Sequence, residues 1–163
     1  MNAAVTVFFL IIKVFSLYFL AVSLFGLCRR RTPEPAARLR RFAVLIAARN
    51  EESCIAGLIE SLRAQHYPPE LVDIWVLPNN CTDRTAEAAR RAGAQVLEMP
   101  ASVRSKGAAL HTAAKALLRS TRNYDAFCVF DADNEADPAF LSEMNRALDR
   151  TATVSYTHLD AAD

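Results

Sequence analysis

No G-x-x-x-x-G-K-[ST] run occurs in the chain, which removes the usual phosphate cradle of ATP-hydrolysing enzymes. Neither sign of charge is in excess. With 19 Lys and Arg against 18 Asp and Glu, the formal net charge is +1, and no basic stripe with interleaved aromatics appears, so nucleic acid is not an expected partner. Cysteine is sparse and poorly spaced for a framework: Cys28, Cys54, Cys81 and Cys128 form no C-x-x-C pair. In a reducing cytosol these are expected as free thiols, not as bridges or a zinc site. Internal repeats and low-complexity tracts are absent as well.

What the chain has in quantity is apolar side chain, 52% of its 163 residues, unevenly spread. Val5 to Leu27 read VTVFFLIIKVFSLYFLAVSLFGL. At about 1.5 Å per residue this run matches a hydrocarbon slab of roughly 30 Å, and it predicts a membrane-spanning anchor over residues 1–28. A signal peptide is the competing reading, but its apolar region is shorter and its basic cluster comes first, whereas Arg29, Arg30 and Arg31 follow this run. By the positive-inside rule those arginines keep the rest of the chain in the cytoplasm, so a single-pass protein of the cell membrane is expected. Lys13 interrupts the run and is read as snorkelling or pairing with another helix. Residues 29–41, with Pro33, Pro35 and several arginines, read as a linker suited to anionic headgroups.

From Phe42 the pattern alternates. FAVLIA (42–47), VDIWVL (72–77), QVLEM (95–99) and AFCVFD (126–131) are short apolar runs of strand type. Between them Ile55, Leu58, Ile59 and Leu62 recur at helical spacing. Thr82 to Arg91 forms an alanine-rich helix closed by Gly93, and Leu110, Ala113, Ala114, Leu117 and Leu118 form a third stripe. Asp137 and Pro138 cap a last helix that buries Leu141, Met144 and Leu148. Apolar strands alternating with helices predict an α/β domain over 42–150, a mostly parallel sheet with helices on both faces.

Ligands of such sheets bind beyond the carboxyl ends of the strands, where three polar segments converge: AARNEE (47–52), PNNCTD (78–83) and the end of VFDADN (129–134). The first of these contains no glycine, so the dinucleotide fingerprint is missing from its required place. Residues at i and i+2 of an extended chain face the same side, so Asp131 and Asp133 can offer oxygens to one hard cation, with Ala132 adding no bulk. The plainer alternative is a polar, helix-capping turn.

Four ordered blocks, VLIAARNEE, VLPNNCTDRT, SKGAALH and VFDADN, together resemble the family 2 glycosyltransferases over about residues 42–148. The resemblance implies a membrane-associated, inverting enzyme of GT-A fold that uses a nucleotide-diphosphate sugar. It further implies nucleotide-side roles for Ala47, Arg49 and Glu51. An amide pair, Asn79 and Asn80, would lie near the base, followed by Asp83, and Lys106 would lie beside the donor. Asp131 would touch the donor and, with Asp133, hold Mn2+ or Mg2+ as a D-x-D pair. The sequence departs from the family at Ala47, where proline is frequent, at Asn79, where aspartate is usual, and at His111, where asparagine is common. Competing structural readings stand beside the functional ones. Arg49 suits a sheet-edge ion pair, Glu51 and Asp83 suit first-turn helix charges, and His111 suits a solvated helix face. Trp75, His66 and Tyr67 are assigned to packing and loops.

The implied reaction is displacement at the anomeric carbon by an acceptor hydroxyl of a glycan or lipid, with Lys106 and the D-x-D pair countering charge on the departing nucleoside diphosphate. In the family the general base lies well downstream of the D-x-D, and TATVSYTHLDAAD (151–163) does not resemble the family's next strand. The chain is therefore expected to be the N-terminal portion of a longer enzyme, with a tail of doubtful origin. Asp160 and Asp163 are poor candidates for the base, and no transfer is expected from these residues alone. Two other readings remain open: a non-catalytic, membrane-anchored sugar-nucleotide-binding fragment, and a haloacid-dehalogenase-like phosphatase, whose D-x-D nucleophile usually ends the first strand of its core.

Overall fold

The computed structural model describes residues 3–27, 36 and 38–150, so Cys28, Arg29 to Arg31, most of the linker and the tail 151–163 lie outside the described residues. The chain divides into two compact units, Met1–Glu34 and Pro35–Asp163. The first contains helix α1 (Ala3–Leu27). Its Val5–Leu24 segment has a mean hydropathy of 2.4 and no buried residue, and it is long and apolar enough to cross a membrane.

The second unit runs β1 (Phe42–Ala48), α2 (Ile55–Arg63), a 3-10 turn at Pro69–Leu71, β2 (Val72–Pro78), α3 (Thr85–Arg91), β3 (Gln95–Val96), α4 (Lys106–Leu118), β4 (Ala126–Asp131) and α5 (Phe140–Arg150). All strand pairs are parallel, in the order β3-β2-β1-β4. The chain thus builds outward on one side of β1 and then crosses back to place β4 on the other. That reversal makes the carboxyl ends of β1 and β4 a topological switch point, the place where such sheets open a crevice. In register, Ala47 lies opposite Asp131, and Ala48 opposite Pro78.

The two-residue period of β1 sorts its side chains between two cores. Phe42, Val44, Ile46 and Ala48 pack with Ile55, Leu58, Ile59 and Leu62 of α2, with Ala88 and Ala89 of α3, and with Leu141 of α5. Ala43 and Leu45 face the other way, onto Ala113 and Leu117 of α4. The sheet is therefore covered on both faces, as expected, and a central strand buried on both sides is why FAVLIA carries no polar residue.

Helix ends follow their local chemistry. Gly93 takes φ +93° just past α3, and the Ala94 N–H reaches the Ala89 carbonyl at 3.0 Å, a Schellman closure that a Cβ at Gly93 would strain. Asp137 caps as expected, its Oδ1 accepting from the Ala139 N–H at 2.8 Å, although the regular helix begins only at Phe140.

Two expectations need correction. β3 spans two residues instead of the five in QVLEM. The Leu97 N–H bonds the Val76 carbonyl, and the next backbone position of β2 facing β3 is Pro78, which has no N–H to continue the ladder. On α4 the buried stripe is Ala109, Ala113 and Leu117, and Leu118 is 68% exposed, because α4 meets the sheet mainly at β1 and β2 along the arc of Ala113 and Leu117, from which Leu118 points away.

Candidate functional site

Three loops meet at the carboxyl edge of the sheet, and each makes its turn without glycine. Asn50, after β1, and Asn80, after β2, both sit in the left-handed region, at φ 60° and 52°, where asparagine is among the few residues tolerated. Each asparagine side chain then joins neighbouring segments. Asn50 Oδ1 accepts from the Thr82 N–H at 2.8 Å, and Asn80 Nδ2 donates to Asn79 Oδ1 and to the Val103 carbonyl, both at 2.8 Å.

The β1–α2 and β2–α3 loops are further interlocked. Thr85, fully buried, accepts the Glu51 N–H on its hydroxyl at 2.9 Å and donates that hydroxyl to Asp83 Oδ1 at 2.5 Å. Asp83 Oδ1 also accepts the Thr85 N–H, and its Oδ2 accepts the Glu52 N–H, both at 3.1 Å. Glu52 pairs with Arg84 at 2.9 Å. Both oxygens of Asp83 therefore face protein donors. The Thr85 hydroxyl, helped by the two backbone N–H groups, holds the Asp83 carboxyl below its ordinary range. A depressed folded value means stabilisation that is complete above the unfolded value, about 3.9, and lost as pH falls through the folded one. Asp83→Asn is expected to flatten the loss of stability below about pH 4, read by Trp75 fluorescence; an unchanged acid profile would overturn this assignment.

Glu51 Oε2 accepts the Cys54 thiol at 3.1 Å. Burial, then that hydrogen bond and the charges of Glu51 and Asp133, push the thiol up to about 11. The charge of Asp133, just past β4, is thus felt at Cys54, just before α2. Asp131 instead meets Lys106, whose Nζ pairs with Asp131 Oδ1. Lys106 opens α4, where the Ser105 hydroxyl accepts the Ala108 N–H at 3.2 Å, so a cation and a helix amino terminus reach the same edge.

Here the expected extended D-x-D geometry is corrected. β4 stops at Asp131, the Asn134 N–H turns back to the Asp131 carbonyl at 3.2 Å, and Ala132 is drawn into the core beneath Asp131 and Asp133. Ala132 is buried at this turn while both flanking carboxylates are exposed, Asp131 paired with Lys106. Among the described residues no group of three or more His, Cys, Asp or Glu is placed to hold a metal. The local donor set is two exposed carboxylates, which suits a hard divalent ion whose other positions are taken by phosphate oxygens and water.

The profile described as "Glycosyl transferase family 2" matches residues 43–163. The chain belongs to glycosyltransferase family 2. Among curated relatives, this family 2 domain is 28% identical over 108 residues to the probable glycosyltransferase YdaM of Bacillus subtilis (strain 168), covering 62% of the chain and 24% of the relative. It is 30% identical over 92 residues to a beta-monoglucosyldiacylglycerol synthase of Synechocystis sp. (strain ATCC 27184 / PCC 6803 / Kazusa), covering 55% of the chain and 19% of that protein. The chain thus spans about a quarter or less of the length of these relatives. Among solved structures, the mannosyltransferase PcManGT of Pyrobaculum calidifontis, in complex with GDP-Man and Mn2+, aligns with a TM-score of 0.62 at 22% identity, over 82% of this chain and 40% of that one. S. aureus TarS aligns at 0.56 and 21% identity, over 68% and 32%. Both share the GT-A-like fold. The phosphatase reading falls with the family assignment, and β1 accordingly ends on Ala47 and Ala48 with no aspartate.

Within the glycosyltransferase domain, the residues singled out from the sequence separate into two sets. Ala47, Arg49, Glu51, Lys106, Asp131 and Asp133 lie around the switch point, and Arg49 is exposed, with no hydrogen bond or ion pair among the described residues, so the ion-pair reading of it is not realised. Asn79 is 7% exposed with its Oδ1 taken by Asn80, and Asp83 is held by Thr85 and Glu52. His111 is exposed on α4. Sequence reasoning missed Thr85, Asn50 and Cys54. For Thr85 a signal was available, because an Asp side chain commonly accepts the backbone N–H two residues on, which here is that of Thr85. A cavity of about 300 Å³ lined by Leu62, Gln65, Tyr67, Ile74 and Gln95 lies at the opposite, amino-terminal end of the strands, away from this chemistry.

Proposed function

We propose that this domain binds a nucleoside-diphosphate sugar together with Mn2+ or Mg2+ at the β1/β4 switch point, as the donor half of an enzyme that passes the sugar to a hydroxyl of a glycan or lipid. The observation that carries the reading is the pairing of Lys106, at the amino end of α4, with the exposed carboxylate of Asp131, two residues before the second exposed carboxylate, Asp133. Bound there, a divalent ion would supply charge neutralisation for the diphosphate leaving group. Lys106 then turns from Asp131 to the phosphates, and the helix terminus beside it adds partial positive charge. Arg49 and Glu51 line the nucleoside side beside Ala47. Asn79 offers a neutral amide near the base, where an aspartate would offer charge. Mn2+ with GDP-Man in a protein of the same fold, and the monoglucosyldiacylglycerol in the name of one relative, agree with this reading.

The decisive measurement is calorimetry of UDP and GDP against the purified full chain in detergent, with Mn2+ and again with chelator. Binding of at least one nucleotide only with Mn2+ is expected. Binding of neither, or equal affinity in chelator, would overturn the proposal.

We also infer that α1 spans the cell membrane once and that Arg29 to Arg31 hold the domain on the cytoplasmic side. Its apolar surface, broken within the span only by Lys13, and its length support this. The chain should remain in the membrane fraction through alkaline carbonate extraction, and release into the soluble fraction would rule the span out.

A further inference from the structure

We propose that Thr85 is a positioning residue for the donor site, and that Asp83 works through it to hold the β1–α2 loop and does not itself contact the donor; this rests on the donor-binding reading above. The β1–α2 loop carries Arg49 and Glu51 to the switch point, yet it contains no glycine and includes Asn50 at φ 60°, a conformation that persists only if its surroundings hold it. Its first backbone donor after Asn50 is the Glu51 N–H, and the partner of that N–H is the buried Thr85 hydroxyl. The same hydroxyl spends its only proton on Asp83 Oδ1, while Asp83 Oδ2 takes the following N–H, that of Glu52. One Thr–Asp pair on the β2–α3 segment thus fixes two consecutive peptide groups of the β1–α2 loop. Both oxygens of Asp83 are engaged in doing so, which leaves the carboxylate turned toward the protein.

The role predicts a specific pattern of binding. Thr85→Val keeps the shape and removes the hydroxyl, freeing the Glu51 peptide and with it the side chain on the donor side. Thr85→Ser keeps the hydroxyl. With the full chain in detergent, and UDP and GDP as probes in Mn2+, Thr85→Val should weaken every nucleotide that the wild type binds by about tenfold, the scale of one charge-assisted hydrogen bond. Thr85→Ser should restore binding to within about twofold. Asp83→Asn should weaken UDP and GDP by the same factor, because a loosened loop does not discriminate between bases. Trp75 fluorescence below the melting transition establishes that each variant is folded during the titration. Wild-type affinity in folded Thr85→Val, or no rescue by serine, would overturn the proposal. A changed UDP-to-GDP ratio in Asp83→Asn would do the same, since it would mark a direct base contact. If Thr85→Val does not fold, Asp83→Asn decides by the same criteria. A wild type that binds neither nucleotide would instead defeat the donor-binding reading itself.

Discussion

Asp131→Ala and Asp133→Ala are each expected to reduce Mn2+-dependent nucleotide binding by more than about 100-fold, beyond the 10–100-fold that loss of an outer-shell partner typically costs a metal site. The reason is the poverty of the local donor set. Among the described residues no group of three or more His, Cys, Asp or Glu is placed to hold a metal, so removing one carboxylate of the pair leaves a hard ion a single protein ligand. Both side chains are exposed, so the substitutions should leave the fold intact, which separates this result from unfolding. Lys106→Ala should divide the two ligands. Its ammonium occupies Asp131 Oδ1, so its removal should strengthen binding of Mn2+ alone, read by electron paramagnetic resonance, while nucleotide binding in Mn2+ weakens for want of a cation beside the phosphates. Retained nucleotide affinity in Asp133→Ala would remove Asp133 from the site, and tighter nucleotide binding in Lys106→Ala would place that lysine outside the phosphate path.

The second large effect concerns the core. Phe42→Ala is expected to destabilise the domain by about 3–5 kcal/mol, the usual loss for truncating a buried aromatic. That is a large share of the roughly 5–15 kcal/mol by which domains are stable. Phe42 is fully buried at the start of the central strand, and its ring meets Tyr67 edge-on, with centroids 5.4 Å apart. Tyr67 in turn donates to the Arg40 carbonyl and accepts the Arg40 N–H, both at 2.8 Å, so the cavity would also loosen the entry into β1. Trp75 is the sole tryptophan of the chain and lies on β2, so urea unfolding followed by its fluorescence reports the domain and not α1. An unchanged midpoint would show that the β1 entry is held without this ring.

Much of the architecture was legible because burial leaves a periodic trace. The α2 stripe Ile55, Leu58, Ile59 and Leu62 is buried at every position, and Gly93 stands in the left-handed conformation its place past a helix requires. Where neighbours decide, the trace fails. Nothing in AFCVFD distinguishes β4 from a strand buried on both faces, yet Val129 is 49% exposed, because β4 is an edge strand of the described sheet, paired on one side only. Asn145 was invisible as a core residue because its type is usually solvated. It is 2% exposed only because its amide meets the Arg38 carbonyl at 2.9 Å, across more than a hundred residues of sequence.

The same division holds at the candidate site. Local composition by itself determined the long apolar helix, the alternation of strand and helix, and the polar segments at the ends of β1, β2 and β4, since each depends on hydrophobic period and turn chemistry within a few residues. Which of those polar groups stand free and which are consumed by the fold was decided only by tertiary structure. Asp83 and Asp131 are alike as aspartates in the polar segments that end or follow apolar strands. One has both oxygens saturated by Thr85 and Glu52, and the other is exposed against a lysine, because hydrogen-bond partners come from segments far apart in sequence that the parallel sheet brings to one edge.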